Sequence, residues 1–326
     1  MTDAPAEHAP ASHGESHGGA AIYAALGANV GIAIVKFLAF LFSGSSSLLA
    51  ESVHSLADSG NQLLLLIGGR RAKRSADREH PFGYGRERYV YAFVVAIILF
   101  SVGGVFSIYE GVHKLQEADH YVRPHLWWLP LAVLLISIVL EGFSLRTGLA
   151  ESRPHKGSGT WVQFIRRAKN PELPAVLLED IAALTGLVLA LIGVGLALIT
   201  GNGFFDAAGS IAIGVLLVCV AIVLGMEVKS LLVGEGATEA DLQAIEAAIL
   251  AGPETDRIIH LRTLYLGPDE LLVAAKIAMP GERTVTDAAA ATDLVEERIR
   301  SAVPLARLIY LEPDVFRTEA LPPAVE

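Results

Sequence analysis

Six long apolar segments alternate with polar stretches along the first two thirds of the chain. They cover residues 20–42, 46–68, 89–109, 126–145, 175–200 and 206–226. Each has about the 20 residues needed to cross roughly 30 Å of hydrocarbon as a helix, so the pattern predicts six membrane-spanning helices. Beyond the sixth segment the periodicity changes. Thr238 and Asp241 read as a helix start, and Leu242, Ile245 and Ile249 follow at helical spacing. Residues 257–266 and 271–279 read as strands around the turn Gly267-Pro268-Asp269-Glu270. Residues 286–303 read as a second helix and 305–311 as a last strand. The predicted fold class is an all-α six-helix transmembrane bundle followed by a small cytoplasmic α+β domain of order αββαβ. The expected boundaries are a disordered tail over 1–19, the six-span domain over 20–228, the small domain over 229–316 and a second disordered tail over 317–326.

Composition agrees with the membrane reading. The chain is 52% hydrophobic with a mean hydropathy of +0.49, which is too apolar for a soluble protein of 326 residues. The first 19 residues are polar and show no secretory signal. A net charge of −10 carries no nucleic-acid signature. The single cysteine, Cys219, falls in the sixth segment, which excludes an intrachain disulfide and a thiolate cluster. Basic residues set the expected orientation. Arg70, Arg71, Lys73, Arg74, Arg78, Arg86 and Arg88 crowd the second loop, and Arg146, Arg153, Lys156, Arg166, Arg167 and Lys169 crowd the fourth. The positive-inside rule places both loops, both termini and the small domain in the cytoplasm. The Ala-, Gly- and Arg-rich character suggests a bacterial plasma membrane. Within the fourth loop, residues 160–167 read as a short interfacial helix.

Several polar side chains interrupt the apolar segments. His54 and Asp58 lie four apart, on one helix face, and Glu51 at i−3 from His54 joins the same stripe. Ionisable groups at that depth are expensive and mark ion or proton paths. An imidazole and a carboxylate one turn apart also present two ligands to one divalent metal. The fifth segment supplies Glu179 and Asp180, whose side chains point about 100° apart on a helix. One can ligate while the other relays a proton, although Glu179, close after Pro174, also suits a helix cap. Glu51, Glu141 and Asn61 are candidates for accessory or proton-relay roles. Asp206, after Gly201-Asn202-Gly203, reads as a helix cap. Lys36 in the first segment could neutralise one of the acids. His80 to Arg88 reads as a rigid turn before a helix, and His8, His13 and His17 as part of a disordered leader.

Taken together, these residues resemble the cation diffusion facilitator family. The resemblance rests on Gly44-Ser45-Ser46-Ser47-Leu48-Leu49-Ala50-Glu51 leading into His54-Ser55-Leu56-Ala57-Asp58, on the loop from His80 to Arg88, and on Asp206-Ala207-Ala208-Gly209-Ser210. Asn61-Gln62 and the run Val176-Leu177-Leu178-Glu179-Asp180 look most like the branch containing the mitochondrial zinc transporter. The resemblance implies a homodimer of six-span subunits with a ferredoxin-like cytoplasmic tail that dimerises. It also implies a secondary transporter rather than an enzyme, without a resident cofactor, exporting a divalent transition metal in exchange for protons. Zinc comes first, with manganese, iron and cobalt as alternatives. The implied ligands are His54, Asp58, Asp180 and Glu179. Typical zinc members carry a second His four residues before the fifth-span Asp. Here Val176 stands in that place, which leaves the fourth ligand open between Glu179, Glu51 and water. In the tail, His260 stands near a position where relatives hold zinc, while Lys276, Tyr310 and Glu312 occupy others. The tail is therefore expected to dimerise without a binuclear zinc cluster. A non-transporting membrane scaffold or sensor is the rival reading. A hydrolase ranks last, because no nucleophile elbow or His-Glu-x-x-His pattern occurs.

Overall fold

A computed structural model describes residues 15–118, 121, 125–157, 159–281 and 283–317. His8, His13 and most of both expected tails lie outside the described residues. Helices occupy all six apolar segments. They are α1 (Glu15–Ser43), α2 (Ser46–Ala72), α3 and α4 (Glu87–Ile98 and Phe106–Gln116, joined by a π-helical stretch, Leu99–Val105), α5 (Trp128–Lys156), α7 (Glu172–Thr200) and α8 (Phe204–Val233). The first helix begins at Glu15, so residues 15–19 belong to it rather than to the expected tail. The short α6 (Trp161–Arg167) forms in the fourth loop where the amphipathic pattern places it. Its start is a reciprocal cap between Thr160 and Gln163.

Among the described residues, four of these helical stretches are long and apolar enough to cross a membrane: Glu87–Gln116, Trp128–Pro154, Glu172–Thr200 and Phe204–Val233. In α2, Glu51, His54, Asp58 and Asn61 break up the apolar run.

The described chain divides into two compact units. One comprises residues 1–63, 98–144 and 180–219, and the other residues 64–97, 145–179 and 220–326. In the first unit, the π-helical stretch and α4 pack tightly on α8. A Cβ on Gly104 would lie 2.6 Å from Val218, and one on Gly214 would lie 2.6 Å from Ile108. Only glycine permits backbones this close, the packing mode that holds helices together in lipid.

The second unit contains an apolar cluster of Leu65, Tyr89, Val95, Ala175, Leu224 and Val228, together with the tail domain. There α9 (Glu239–Leu250), β1 (Arg257–Gly267), β2 (Glu270–Ala278), α10 (Val285–Ala302) and β3 (Ala306–Asp314) follow in the expected αββαβ order. The strands β1 and β2 form an antiparallel hairpin, and β3 lies parallel to β2 on its other side. A parallel neighbour needs a crossover, which α10 supplies. Side chains of β2 alternate between buried and half-buried. The inward set, including Leu271, Val273 and Ile277, meets Ile245, Ile249, Val295 and Ile299 of the two helices. Thr238 and Thr284 cap α9 and α10, each accepting from the backbone N–H three residues on.

Candidate functional site: a polar stripe on α2

The first turn of α2 is fixed from outside its own sequence. Ser45 accepts a hydrogen bond from the Leu48 N–H, as an N-cap does. The Asp206 carboxylate, from α8, then covers the helix end. It accepts from Ser45 Oγ at 2.8 Å, Ser46 N at 2.8 Å, Ser46 Oγ at 3.2 Å and Ser47 N at 3.3 Å. Ser47 Oγ donates in return to the Asp206 backbone carbonyl at 2.9 Å. A carboxylate at a helix N-terminus satisfies the free N–H groups and complements the dipole. Asp206 is thus a cap as expected, but of α2 rather than of the helix that carries it.

Further along α2, Glu51, His54 and Asn61 are buried, and the Asp58 side chain is 14% exposed. His54 Nδ1 stands 3.4 Å from Asp58 Oδ1, as the spacing of four predicts. Neither ring nitrogen of His54 makes a hydrogen bond. The ring lies against the π-helical stretch, where a Cβ on Gly103 would come within 4.0 Å of Nδ1.

Glu51 faces two neighbours. Its Oε2 accepts from Lys36 Nζ of α1 at 3.1 Å, and Lys36 also donates to Ser55 Oγ at 2.8 Å. Its Oε1 makes no hydrogen bond and points at α7, where a Cβ on Gly186 would sit only 2.7 Å away. Of the acids Lys36 could have met, it meets Glu51.

The fifth segment contributes Asp180, which is buried and accepts from Ser144 Oγ of α5 at 3.2 Å. Glu141 precedes Ser144 by three residues, on the same face of α5. Glu179 is also buried, in the direction about 100° from Asp180 that its place in α7 dictates. Among the described residues, no three His, Cys, Asp or Glu side chains come close enough together to hold a metal ion. The structure therefore brings His54 and Asp58 together and, among the described residues, does not gather Asp180 with them.

Outside the helical bundle, the other marked residues play local parts. Asp77 accepts from the backbone N–H groups of Glu79 and His80 and from the Tyr84 hydroxyl. The Tyr84 bond, with those N–H bonds behind it, holds the Asp77 carboxyl below its ordinary range. His80 stacks on Tyr84 at 4.4 Å, so the loop is the rigid turn its sequence suggests. In the tail, exposed His260 pairs across the strands with Lys276. The Lys276 ammonium is shared between Glu312 at 2.8 Å and Asp314 at 2.9 Å.

Sequence reasoning missed the partner of Lys36, the trans cap from Asp206, the contact of Ser144 with Asp180, and the role of Gly186. One signal for the cap was present, since three serines in a row, Ser45 to Ser47, straddle the start of α2.

Long apolar helices joined to an αββαβ domain define a multi-pass integral membrane protein. Family comparison narrows the class. Residues 22–233 match the cation efflux transmembrane domain, and residues 237–314 match the cation efflux protein cytoplasmic domain. The chain belongs to the cation efflux, or cation diffusion facilitator, family, whose members are transporters and not enzymes. It is 30% identical over 254 residues to the mitochondrial proton-coupled zinc antiporter SLC30A9 of Mus musculus, covering 77% of this chain and 44% of the relative. It is 30% identical over 275 residues to metal tolerance protein C4 of Arabidopsis thaliana, covering 83% and 59%. It is 25% identical over 238 residues to the magnetosome protein MamM of Magnetospirillum gryphiswaldense, covering 72% and 69%. The chain thus spans about half the length of the first two relatives.

Proposed function

We propose that the protein is a proton-coupled antiporter that exports a divalent transition metal, zinc first, from the cytoplasm. The observation that carries this reading is the buried His54–Asp58 pair, with both imidazole nitrogens free of hydrogen bonds deep in an apolar bundle. A neutral imidazole and a carboxylate one turn apart make a nitrogen–oxygen half-site suited to zinc. Family membership and the printed names of the relatives, one a proton-coupled zinc antiporter and one a metal tolerance protein, support the same reading.

In this proposal His54 and Asp58 receive the metal from one side, and Asp180, with Glu179 beside it, completes the shell from α7. Asp180 rests on Ser144 here, so completing the shell requires α7 and α2 to shift relative to each other. That is the motion expected of alternating access around a site near the midplane. Metal displaces protons from such ligands, which couples its binding to proton movement. Glu51, Glu141 and Asn61 take accessory or relay roles. The reading further includes six spans per subunit, cytoplasmic termini, a homodimer joined through the tail domain, and a bacterial plasma membrane.

Zinc flux into proteoliposomes under an imposed pH gradient tests the proposal. His54→Ala and Asp58→Ala should each abolish zinc-driven proton movement, and Asp180→Ala should reduce it severely. Flux that survives both α2 substitutions refutes the assignment. Competition by manganese, iron and cobalt in the same assay ranks the cargo.

A further inference from the structure

The transport reading leaves Lys36 without a task, although a lysine in the apolar body of α1 is costly unless something repays its burial. Lys36 is 3% exposed and grips α2 on both sides of His54, through Glu51 three residues before it and Ser55 one residue after it. Glu51 is fully buried on the same helix face as His54 and Asp58. Left to itself, α2 would present a carboxylate, an imidazole and a second carboxylate in one stripe, all able to bind a dication. The ammonium changes that. It holds Oε2, and its charge sits next to the other oxygen of that carboxylate, Oε1, which makes no hydrogen bond.

We propose that Lys36 is a fixed internal cation of the metal site, which occupies Glu51 and so limits the number of carboxylate donors the cargo meets. The inference rests on the transport reading above. A carboxylate already shared with an ammonium is a weak ligand for a second cation, because the two positive charges repel across one small anion. Lys36 therefore keeps the site loose enough for the metal to leave, a condition of turnover rather than of binding. Replacing the ammonium by a neutral group frees Glu51, adds an oxygen donor and a net negative charge to the stripe, and slows release. The signature is a KM and a kcat that fall together. Loss of a purely structural ion pair would instead lower the amount of active protein and leave KM unchanged.

The test uses the full chain in proteoliposomes, with zinc as the probe and uptake driven by a pH gradient. Lys36→Gln is expected to lower the zinc KM and kcat each by about tenfold, one ligand's worth of affinity. Lys36→Arg, which keeps the charge, should restore both most of the way. The doubly neutral Lys36→Gln/Glu51→Gln should bring KM back to within about threefold of wild type, because the carboxylate that the single change frees is then absent. Lys36→Gln with an unchanged KM overturns the proposal. So does a double variant whose KM rises more than about tenfold, because Glu51 would then be a full ligand. Should Lys36→Gln fail to fold, Lys36→Arg with an unchanged KM and a double variant whose KM rises more than about tenfold together overturn the proposal. Wild-type vesicles that take up no zinc defeat the transport reading, and this inference with it. Wild-type uptake with an unaffected Lys36→Gln variant defeats the inference only.

Discussion

Asp206 offers the sharpest physical test of how this bundle is held together. Its carboxylate accepts four hydrogen bonds from the first turn of α2, two from backbone N–H groups and two from serine hydroxyls, at 2.8–3.3 Å. Asp206→Ala removes both acceptor oxygens, and with them all four bonds, from a buried place. The two N–H groups cannot be rehydrated cheaply, and each unsatisfied buried donor costs about 1–3 kcal/mol. The serine hydroxyls can rotate, and Ser210 Oγ already lies 3.0 Å from Ser46 Oγ, so their loss is smaller. The lost charge at the helix end adds about 0.3–1 kcal/mol. The total is about 4 kcal/mol, large against the 5–15 kcal/mol typical of a folded domain. Asp206→Asn keeps one acceptor oxygen and loses the charge, and should cost about half as much. In detergent, the apparent melting temperature should fall on the order of 5–10 °C for Ala and roughly half that for Asn. Amide exchange should accelerate at Ser46, Ser47 and Leu48 and stay unchanged in the tail domain. Because His54 lies only about 12 Å along the same helix, zinc turnover should fall as well. An Asp206→Ala protein that melts within 1 °C of wild type (about the resolution of such a scan) and protects those amides normally would refute the trans-cap reasoning.

Two further outcomes follow from single contacts. Gly186→Ala would place a Cβ 2.7 Å from Glu51 Oε1. Glu51 is tied to Lys36 through its other oxygen, so α7 rather than the carboxylate must give way. Zinc flux should drop by roughly tenfold or more, while Gly195→Ala on the same helix, which meets open space, should not matter. In the tail domain, burial pushes the Tyr265 phenol up to about 12, with the negative charge and hydrogen-bonding oxygen of Asp241 adding to it. A tyrosine whose folded pKa lies above its unfolded value of about 10 contributes stability that is complete below pH 10 and lost as pH rises toward 12. Absorbance titration of phenolate should show a step well above that of the exposed tyrosines, and Tyr265→Phe should remove it. Titration of Tyr265 with the exposed tyrosines would contradict the assignment.

The sequence by itself determined the elements and their chemistry. Apolar length placed the six helices to within a few residues at most ends, because hydrocarbon demands a continuous run and loops demand polarity. Alternation placed the three tail strands, and spacing alone put His54 beside Asp58, since residues four apart on a helix are always neighbours. What local pattern could not decide were the meetings between segments distant along the chain. Lys36 had several buried acids within its helix's reach, and only packing of α1 on α2 chose Glu51. Asp206 was legible as a cap, but the helix it caps lies about 160 residues away. Asp180 was legible as a ligand candidate, yet its hydrogen bond goes to Ser144. In each case the side chain's type was fixed by sequence. Its partner was fixed by which helix faces touch, a property of close packing that no single segment carries.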